Sequence, residues 1–128
     1  MNISTVIRSL PDFIGSNGRS EEEILECEKQ LGLRFAEDYR EYLEQVGLTC
    51  FNGRELTGIC KEKRLNVVAV TMSEREQNES IPPDFYVIEE TGLDGVVVWQ
   101  SSEGTIYATI PGALPQRICE SFTAYLQQ

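Results

Sequence analysis

The chain has 128 residues, of which 21 are acidic and 11 are basic, so its formal net charge at pH 7 is −10. This length suits one domain over residues 1–128, large enough to bury an ordinary apolar core. The charge opposes binding to nucleic acid or to anionic membranes, because both are polyanions. It favours basic protein partners; the alternative interpretation is that the charge only keeps the protein soluble.

The apolar spacing of residues 3–10 predicts a short first helix that ends near Pro11. A second helix begins at Ser20, which forms a capping box with Glu23, and it ends at Gly32. The apolar face of this second helix is predicted to contain Ile24, Leu25, Cys27 and Leu31.

The third helix has the strongest periodicity in the chain. Its apolar positions, spaced as on one face of an α-helix, are Phe35, Tyr39, Tyr42, Leu43 and Val46. Gly47 is predicted to end it. Asn52-Gly53 then predicts a tight β-hairpin turn between two short strands within residues 48–59.

The second half of the chain is predicted to be mainly strands. The β-branched run Val67–Thr71 favours a strand by propensity alone, and Pro82-Pro83 breaks the chain after it. Three strands of an antiparallel meander follow: Phe85–Glu89, Gly95–Gln100 and Thr105–Ile110. A last helix is predicted from Leu114, with the apolar face Leu114, Ile118, Phe122, Tyr125 and Leu126. Helices, then antiparallel strands, then a helix predict an α+β domain.

The composition removes several kinds of chemistry. The chain has no histidine, which excludes histidine general bases, Ser–His and Cys–His dyads, and histidine metal sites. No glycine-rich phosphate-binding motif occurs, and the four cysteines form no C-x-x-C pair, so no cofactor and no metal site are predicted. No apolar run is long enough for a membrane span, and residues 1–8 lack the pattern of a secretory signal. A cytoplasmic location is therefore expected.

The acidic residues are unevenly distributed, because no basic residue lies between Arg75 and Arg117. That stretch combines carboxylates, which attract lysine and arginine, with aromatic residues, which supply desolvated contact area in protein interfaces. The predicted partner-binding residues are Asp84, Tyr86, Glu89, Glu90, Asp94, Trp99 and Glu103. The alternative interpretation places Trp99 and Tyr86 in the core and the acids at a solvated sheet edge.

A carboxylate-dependent enzyme is a further alternative, since paired carboxyl groups can carry out acid–base catalysis. Glu89 and Glu90 are adjacent in sequence, and neighbours in a strand point to opposite faces of the sheet. The sequence therefore gives no reason to expect these two carboxylates to meet at one substrate atom, and no catalytic residue is predicted.

Several blocks of the sequence resemble the SUKH superfamily, named in part after fungal regulators of cell-wall synthesis. The resemblance rests on residues 20–43, on Asn52-Gly53, on residues 85–107 and on the closing segment Ser121–Leu126. Ala36 departs from the family pattern, which usually has proline at that position. The family also places a helix over Asn66–Gln77, where propensity alone favours a strand, and the family is followed there.

The resemblance implies a bent antiparallel sheet of about four to six strands, covered by N-terminal and C-terminal helices, and no catalysis. Bacterial members are mostly immunity proteins that neutralise toxins, often nucleases. An acidic antitoxin binding a basic, nuclease-type toxin domain is thus the predicted function, and a regulatory or scaffold module is the alternative. The resemblance supplies no binding residues, and the oligomeric state stays open.

Overall fold

The computed structural model describes residues 3–128. Within them, the five α-helices are α1 (Ile3–Arg8), α2 (Glu21–Leu31), α3 (Glu37–Gln45), α4 (Val67–Gln77) and α5 (Phe122–Leu126). The seven strands are β1 (Ile14–Gly15), β2 (Thr49–Phe51), β3 (Arg54–Glu55), β4 (Tyr86–Glu90), β5 (Val97–Gln100), β6 (Ile106–Thr109) and β7 (Gln116–Cys119). The predicted α+β class is confirmed.

The strands form two antiparallel sheets, one in the order β1-β2-β3 and one in the order β4-β5-β6-β7. Thr57, just after β3, connects them. Its backbone N–H donates to the Ile88 carbonyl (2.9 Å) and its hydroxyl donates to the Val87 carbonyl (2.8 Å). The chain thus leaves the small sheet at Thr57 and is held against β4 there.

One face of the four-stranded sheet, called the inner face, forms the main core with α1, α2, α3 and α5. Burial of these apolar side chains is the main driving force for folding. An aromatic cluster joins α3, β4 and α5, with ring centroids 4.9 to 5.5 Å apart in tilted and edge-to-face geometries that suit the ring quadrupoles. Its members are Phe35, Tyr39, Tyr42, Tyr86 and Phe122.

The opposite face of this sheet, called the outer face, carries a second apolar cluster. α4 packs on part of it through Val70, which lies with Val87, Val97 and Trp99. The rest of the outer face extends beyond α4 to the partly buried Tyr107 on β6. This face is therefore covered on one side and open on the other.

The predicted capping box of α2 is confirmed. The Ser20 hydroxyl accepts from the Glu23 amide (3.2 Å), and the Glu23 carboxylate accepts from the Ser20 amide (3.0 Å). Gly32 ends the helix in the left-handed conformation (φ 70°) that glycine adopts without strain. Leu25 was predicted wrongly as part of the apolar face: it is 49% exposed, because it is one residue, and about 100° of helix rotation, away from Ile24.

α4 is a helix, as the family resemblance implied, and the strand that propensity favoured at Val67–Thr71 is wrong. The Asn66 side chain caps it by accepting from the amides of Val68 (3.0 Å) and Ala69 (3.1 Å). Burial of Val67 and Val70 then outweighs the weak preference of β-branched residues for strands.

The Asn52-Gly53 hairpin is confirmed, with positive φ angles of 48° and 74° at its two central residues, as a type I′ turn requires. The predicted last helix is wrong in its first half. Residues 116–119 form the edge strand β7, and the helix begins only at Phe122, after Ser121 accepts a hydrogen bond from the Ala124 amide (3.0 Å).

The spacing of Leu114 and Ile118 relative to Phe122 is compatible with a helix face, but neither side chain is buried: they are 73% and 40% exposed. In β7, pairing passes from Arg117, opposite Tyr107, to Cys119, opposite Ile106. Ile118 is the extra residue of a β-bulge, so the strand has no regular alternation that its sequence could reveal.

A buried polar network links the helices to the four-stranded sheet. The Asp38 carboxylate accepts from the Gln100 side-chain amide (2.9 Å) and from the Phe122 backbone amide at the start of α5 (2.8 Å). Gln100 in turn accepts from the Tyr86 hydroxyl (2.7 Å), which itself accepts from the Ala36 amide (3.0 Å). The first turn of α3, the β4–β5 pair and α5 are therefore fixed by one set of hydrogen bonds.

We expect the Asp38→Ala substitution to lower the free energy of unfolding by about 2–3 kcal/mol, because it leaves buried donors without an acceptor. Urea denaturation followed by circular dichroism measures the change. The control is Glu37→Ala, an exposed neighbour in the same helical turn, with an expected effect within about 0.5 kcal/mol. Equal effects of the two substitutions would contradict the importance of the network.

Candidate functional site

Three of the seven predicted partner-binding residues are buried. Tyr86 and Trp99 are fully buried, and Glu89 is 4% exposed. The Tyr86 hydroxyl belongs to the polar network, and the Trp99 indole N–H donates to the Thr109 hydroxyl (2.9 Å). Both aromatic side chains therefore stabilise the fold, in agreement with the alternative that placed them in the core.

Glu89 forms a buried ion pair with Arg54. The guanidinium donates to both carboxylate oxygens, at 2.7 and 3.2 Å, and lies 4.8 Å from the centroid of the Phe51 ring. The Tyr125 hydroxyl also donates to this carboxylate. Burial, together with the adjacent Glu89, raises the pKa of Tyr125 above its ordinary value. The Glu89 charge is thus neutralised within the fold.

A β-bulge explains why Glu89 points inward. β4 pairs with β5 through Val87, opposite Trp99, and then through Glu89, opposite Val98, so that Ile88 is the extra residue. The bulge places Glu89 on the inner face and leaves Glu90 on the outer face beside α4. The expectation that these two neighbours point to opposite faces is confirmed.

The other four predicted residues reach the surface: Glu90, Asp94 and Glu103 are exposed, and Asp84 is half-buried. Glu90 and Asp94 lie at the turn end of the β4–β5 hairpin, whereas Asp84 and Glu103 lie at its opposite end. Among residues 3–128, no ion pair involves any of these four carboxylates.

At the turn end of the hairpin, a cleft of about 440 Å³ opens between α4 and the β4–β5 and β6–β7 turns; we call it the α4 cleft. Val97, Trp99 and Ile110 form apolar parts of its lining, and Glu74 and Glu90 supply the carboxyl groups. Three glycines line it as well, so parts of its wall are bare backbone.

The two carboxyl groups of the α4 cleft, called the carboxyl pair, lie close enough for a protonated Glu74 to donate a hydrogen bond to Glu90. This hydrogen bond, together with partial burial and the negative charge of Glu90, raises the pKa of the Glu74 carboxyl to about 7. One proton is thus shared between Glu74 on α4 and Glu90 on β4 near neutral pH.

At the other end of the hairpin lies a shallow groove of about 480 Å³, which we call the Phe85 groove. Its base contains the stacked rings of Phe85 and Tyr107, whose centroids are 4.5 Å apart. Asp84 and Glu103 contribute carboxylates to it, and the exposed Leu114 contributes apolar surface. The outer face therefore has a concave, acidic site at each end.

The comparisons with known proteins agree with this fold. A family model described as SMI1-KNR4 cell-wall, SUKH_5, matches residues 5–128. The chain belongs to this family. The resemblance inferred from the sequence blocks is therefore confirmed, and the match covers nearly the whole chain.

A crystal structure of a protein from Pseudomonas syringae pv. tomato superposes on this SUKH domain with a TM-score of 0.76, covering 98% of this chain and 92% of that chain. The two sequences are 15% identical, so the likeness concerns the fold alone. No curated protein matches this chain at the level of sequence.

Sequence reasoning missed Glu74, although it lies just outside the stretch with no basic residues. Its importance comes from the contact with Glu90, 16 positions away, which depends on how α4 crosses the sheet. Its neighbour Arg75 does not neutralise the pair. The Arg75 guanidinium donates instead to the carbonyls of Leu31 (3.2 Å) and Pro83 (3.0 Å).

The chemistry available to this SUKH domain is limited. Among the described residues 3–128, no group of three cysteine or acidic side chains could hold a metal ion. In the same range, no helix is both long and apolar enough to cross a bilayer.

The carboxyl pair predicts a pH-dependent contribution to stability. Because the folded-state pKa of Glu74 is raised from 4.5 to about 7, its contribution is fully present below about pH 4.5 and is lost as the pH rises through 7. In Glu74→Gln, the amide replaces the protonated carboxyl group as donor at all pH values. Relative to wild type, this variant should gain about 1 kcal/mol between pH 5 and pH 8, after allowance for solvent screening.

Urea denaturation at several pH values measures this difference. The matched control is Glu76→Gln, which removes an exposed carboxylate from the same helix. Its stability relative to wild type should stay nearly constant over that pH range. Parallel profiles for Glu74→Gln and wild type would contradict the shared proton.

Proposed function

We propose that this SUKH domain is an immunity-type protein that acts in the cytoplasm, where it binds and neutralises a basic, nuclease-type toxin domain without catalysing a reaction. The observation that carries the proposal is the unpaired acidic surface at the two ends of the β4–β5 hairpin. In the described part of the chain, ion pairs involve Arg40, Arg54 and Arg64, and none of them reaches this surface.

Such a surface has a physical reason to bind a basic protein. Unpaired carboxylates accelerate the encounter with a positively charged partner and then pair with its lysine and arginine side chains. The concave apolar areas beside them, at the exposed Ile110 and at the partly buried Tyr107, supply contact area between the charges. Toxins that cleave nucleic acid need a basic surface for their own substrate, and an acidic inhibitor competes for it.

The alternative is a regulatory module whose partner is not a toxin. The family is described by reference to the cell wall, which is the reason to consider this alternative. Both functions need a protein-binding surface, so they differ in the identity of the partner and not in the geometry. Co-purification from cells that carry the neighbouring genes, followed by mass spectrometry, distinguishes them.

The interface prediction is tested by reversing three charges together: Glu90→Lys, Asp94→Lys and Glu103→Lys. We expect binding to the co-purified partner to weaken at least about 100-fold, because attraction at three positions becomes repulsion. Isothermal titration calorimetry measures the affinity, and growth of cells that produce the partner measures protection.

The matched control carries Glu22→Lys, Glu37→Lys and Glu62→Lys, three exposed acids outside the hairpin. It changes the net charge by the same amount and should reduce affinity only slightly. If both triple variants lose affinity equally, the net charge acts without a defined surface. If neither loses affinity or protection, the outer face is not the interface.

A further inference from the structure

The α4 cleft combines an apolar lining with two carboxyl groups. Val96 and Ile110 contribute accessible apolar atoms to the lining, and Glu74 and Glu90 contribute the carboxyl groups. A lysine or arginine side chain has the complementary form, with a long aliphatic stem and a cationic head. The cleft and these two side chains therefore match in both polarity and charge.

The carboxyl pair is an energetic cost that the fold does not otherwise use. Two like charges in contact repel, and the charge of Glu90 helps to raise the pKa of Glu74. No basic residue lines the cleft among the residues described, and Arg75 is hydrogen-bonded to backbone carbonyls on another side of α4. The Glu89 carboxylate differs from the carboxyl pair, because it forms an ion pair with Arg54.

We propose that the α4 cleft receives one lysine or arginine side chain of the bound protein, with its stem against Ile110 and its cationic head between Glu74 and Glu90. This proposal rests on the proposed function and specifies one contact of that interface. The cation restores charge balance to the carboxyl pair when the complex forms.

The dimensions of the cleft fit one side chain. A volume of about 440 Å³ lies near the lower end of the range, roughly 300–1,000 Å³, of pockets that enclose a small ligand. Gly92 and Gly95, both with positive φ, carry the backbone around the cleft. A Cβ at Gly95 would lie 3.0 Å from the Pro111 side chain, so this wall is already closely packed.

The shared proton makes this contact depend on pH. A cationic head group favours the doubly ionised pair, so its binding releases the proton, and affinity rises with pH through about 7. The titratable groups that line the cleft are Glu74 from α4 and Glu90 from β4; the β6–β7 turn contributes the apolar residues Ile110 and Pro111. Asp94 lies in the adjacent β4–β5 turn and contributes a further carboxylate near the cleft.

The test is a titration followed by NMR, with Nα-acetyl-argininamide as the probe and Nα-acetyl-norleucinamide as its neutral counterpart. We expect the arginine probe to shift the Trp99 indole N–H and the amides of Gly92 and Gly95, and to bind roughly threefold more tightly at pH 8 than at pH 6. The neutral probe should give smaller shifts with no dependence on pH.

The double variant Glu74→Gln, Glu90→Gln should weaken binding of the arginine probe by roughly tenfold and abolish its pH dependence. The matched control Glu76→Gln removes an exposed acid that lies on the same helix as Glu74 but does not line the cleft, and it should change neither. The two-dimensional NMR spectrum of each variant shows whether the variant is folded. If the double variant is unfolded, the single variant Glu90→Gln provides a second test.

The proposal is overturned if the neutral probe shifts the same groups equally, or if the double variant binds the arginine probe as tightly as wild type. If the α4 cleft does not bind the arginine probe but the triple charge reversal still abolishes partner binding, the proposed function is retained and only the cation site is rejected. If the charge reversal has no effect while the cleft binds the probe, the outer face is not the partner interface, and the cleft is a cation site that the partner does not use.

Discussion

The hydrogen bonds of the Asp38 carboxylate hold α3, the four-stranded sheet and α5 of this SUKH domain in a fixed arrangement. One carboxylate in the first turn of α3 binds the Gln100 side chain at the end of β5 and the Phe122 amide at the start of α5. These groups lie 62 and 84 positions away in sequence. Because buried polar groups are costly when unpaired, this arrangement fixes a single packing of the helices on the inner face of the sheet.

The outer face follows from that packing. Once the inner face is covered by α1, α2, α3 and α5, only α4 remains to cover the opposite side, and it covers only part. The bulge at Ile88 then determines the sheet face of each acid. Glu89 points to the inner face, toward Arg54, and Glu90 points to the outer face, beside Glu74. A one-residue irregularity in β4 thus separates a structural carboxylate from a surface one.

The acidic residues therefore belong to two groups with different physical roles. Glu28, Asp38 and Glu89 are engaged by arginine, backbone amides or side-chain donors, and they stabilise the fold. Within residues 3–128, the exposed acids at the ends of the β4–β5 hairpin form no ion pair. These acids repel one another in the folded protein. Pairing with the positive charges of a basic partner would offset that repulsion.

Local signals in the sequence were sufficient where caps and turns decide the structure. The Ser20 capping box and the Asn52-Gly53 turn were both found correctly. Propensity failed at Val67–Thr71, because the Asn66 cap and burial override it, and periodicity failed at Ile118, because a bulge there imitates helical spacing. These are effects of tertiary structure.

The candidate site was only partly accessible from sequence. The run without basic residues identified the acidic hairpin, yet it could not separate the buried Glu89 from the exposed Glu90. Nor could it reveal Glu74, whose contact with Glu90 exists only after α4 packs on the sheet. Composition locates a charged region, whereas strand register and helix packing decide which charges reach a partner.

The most direct test of the acidic outer face is zero-length carbodiimide cross-linking of the complex purified from cells, followed by mass spectrometric mapping of the linked residues. Carbodiimide joins a carboxylate to a lysine only where the two are in contact. The account predicts cross-links from partner lysines to Glu90, Asp94 and Glu103. Cross-links confined to the acidic first turn of α2, at Glu21 and Glu22, would contradict it.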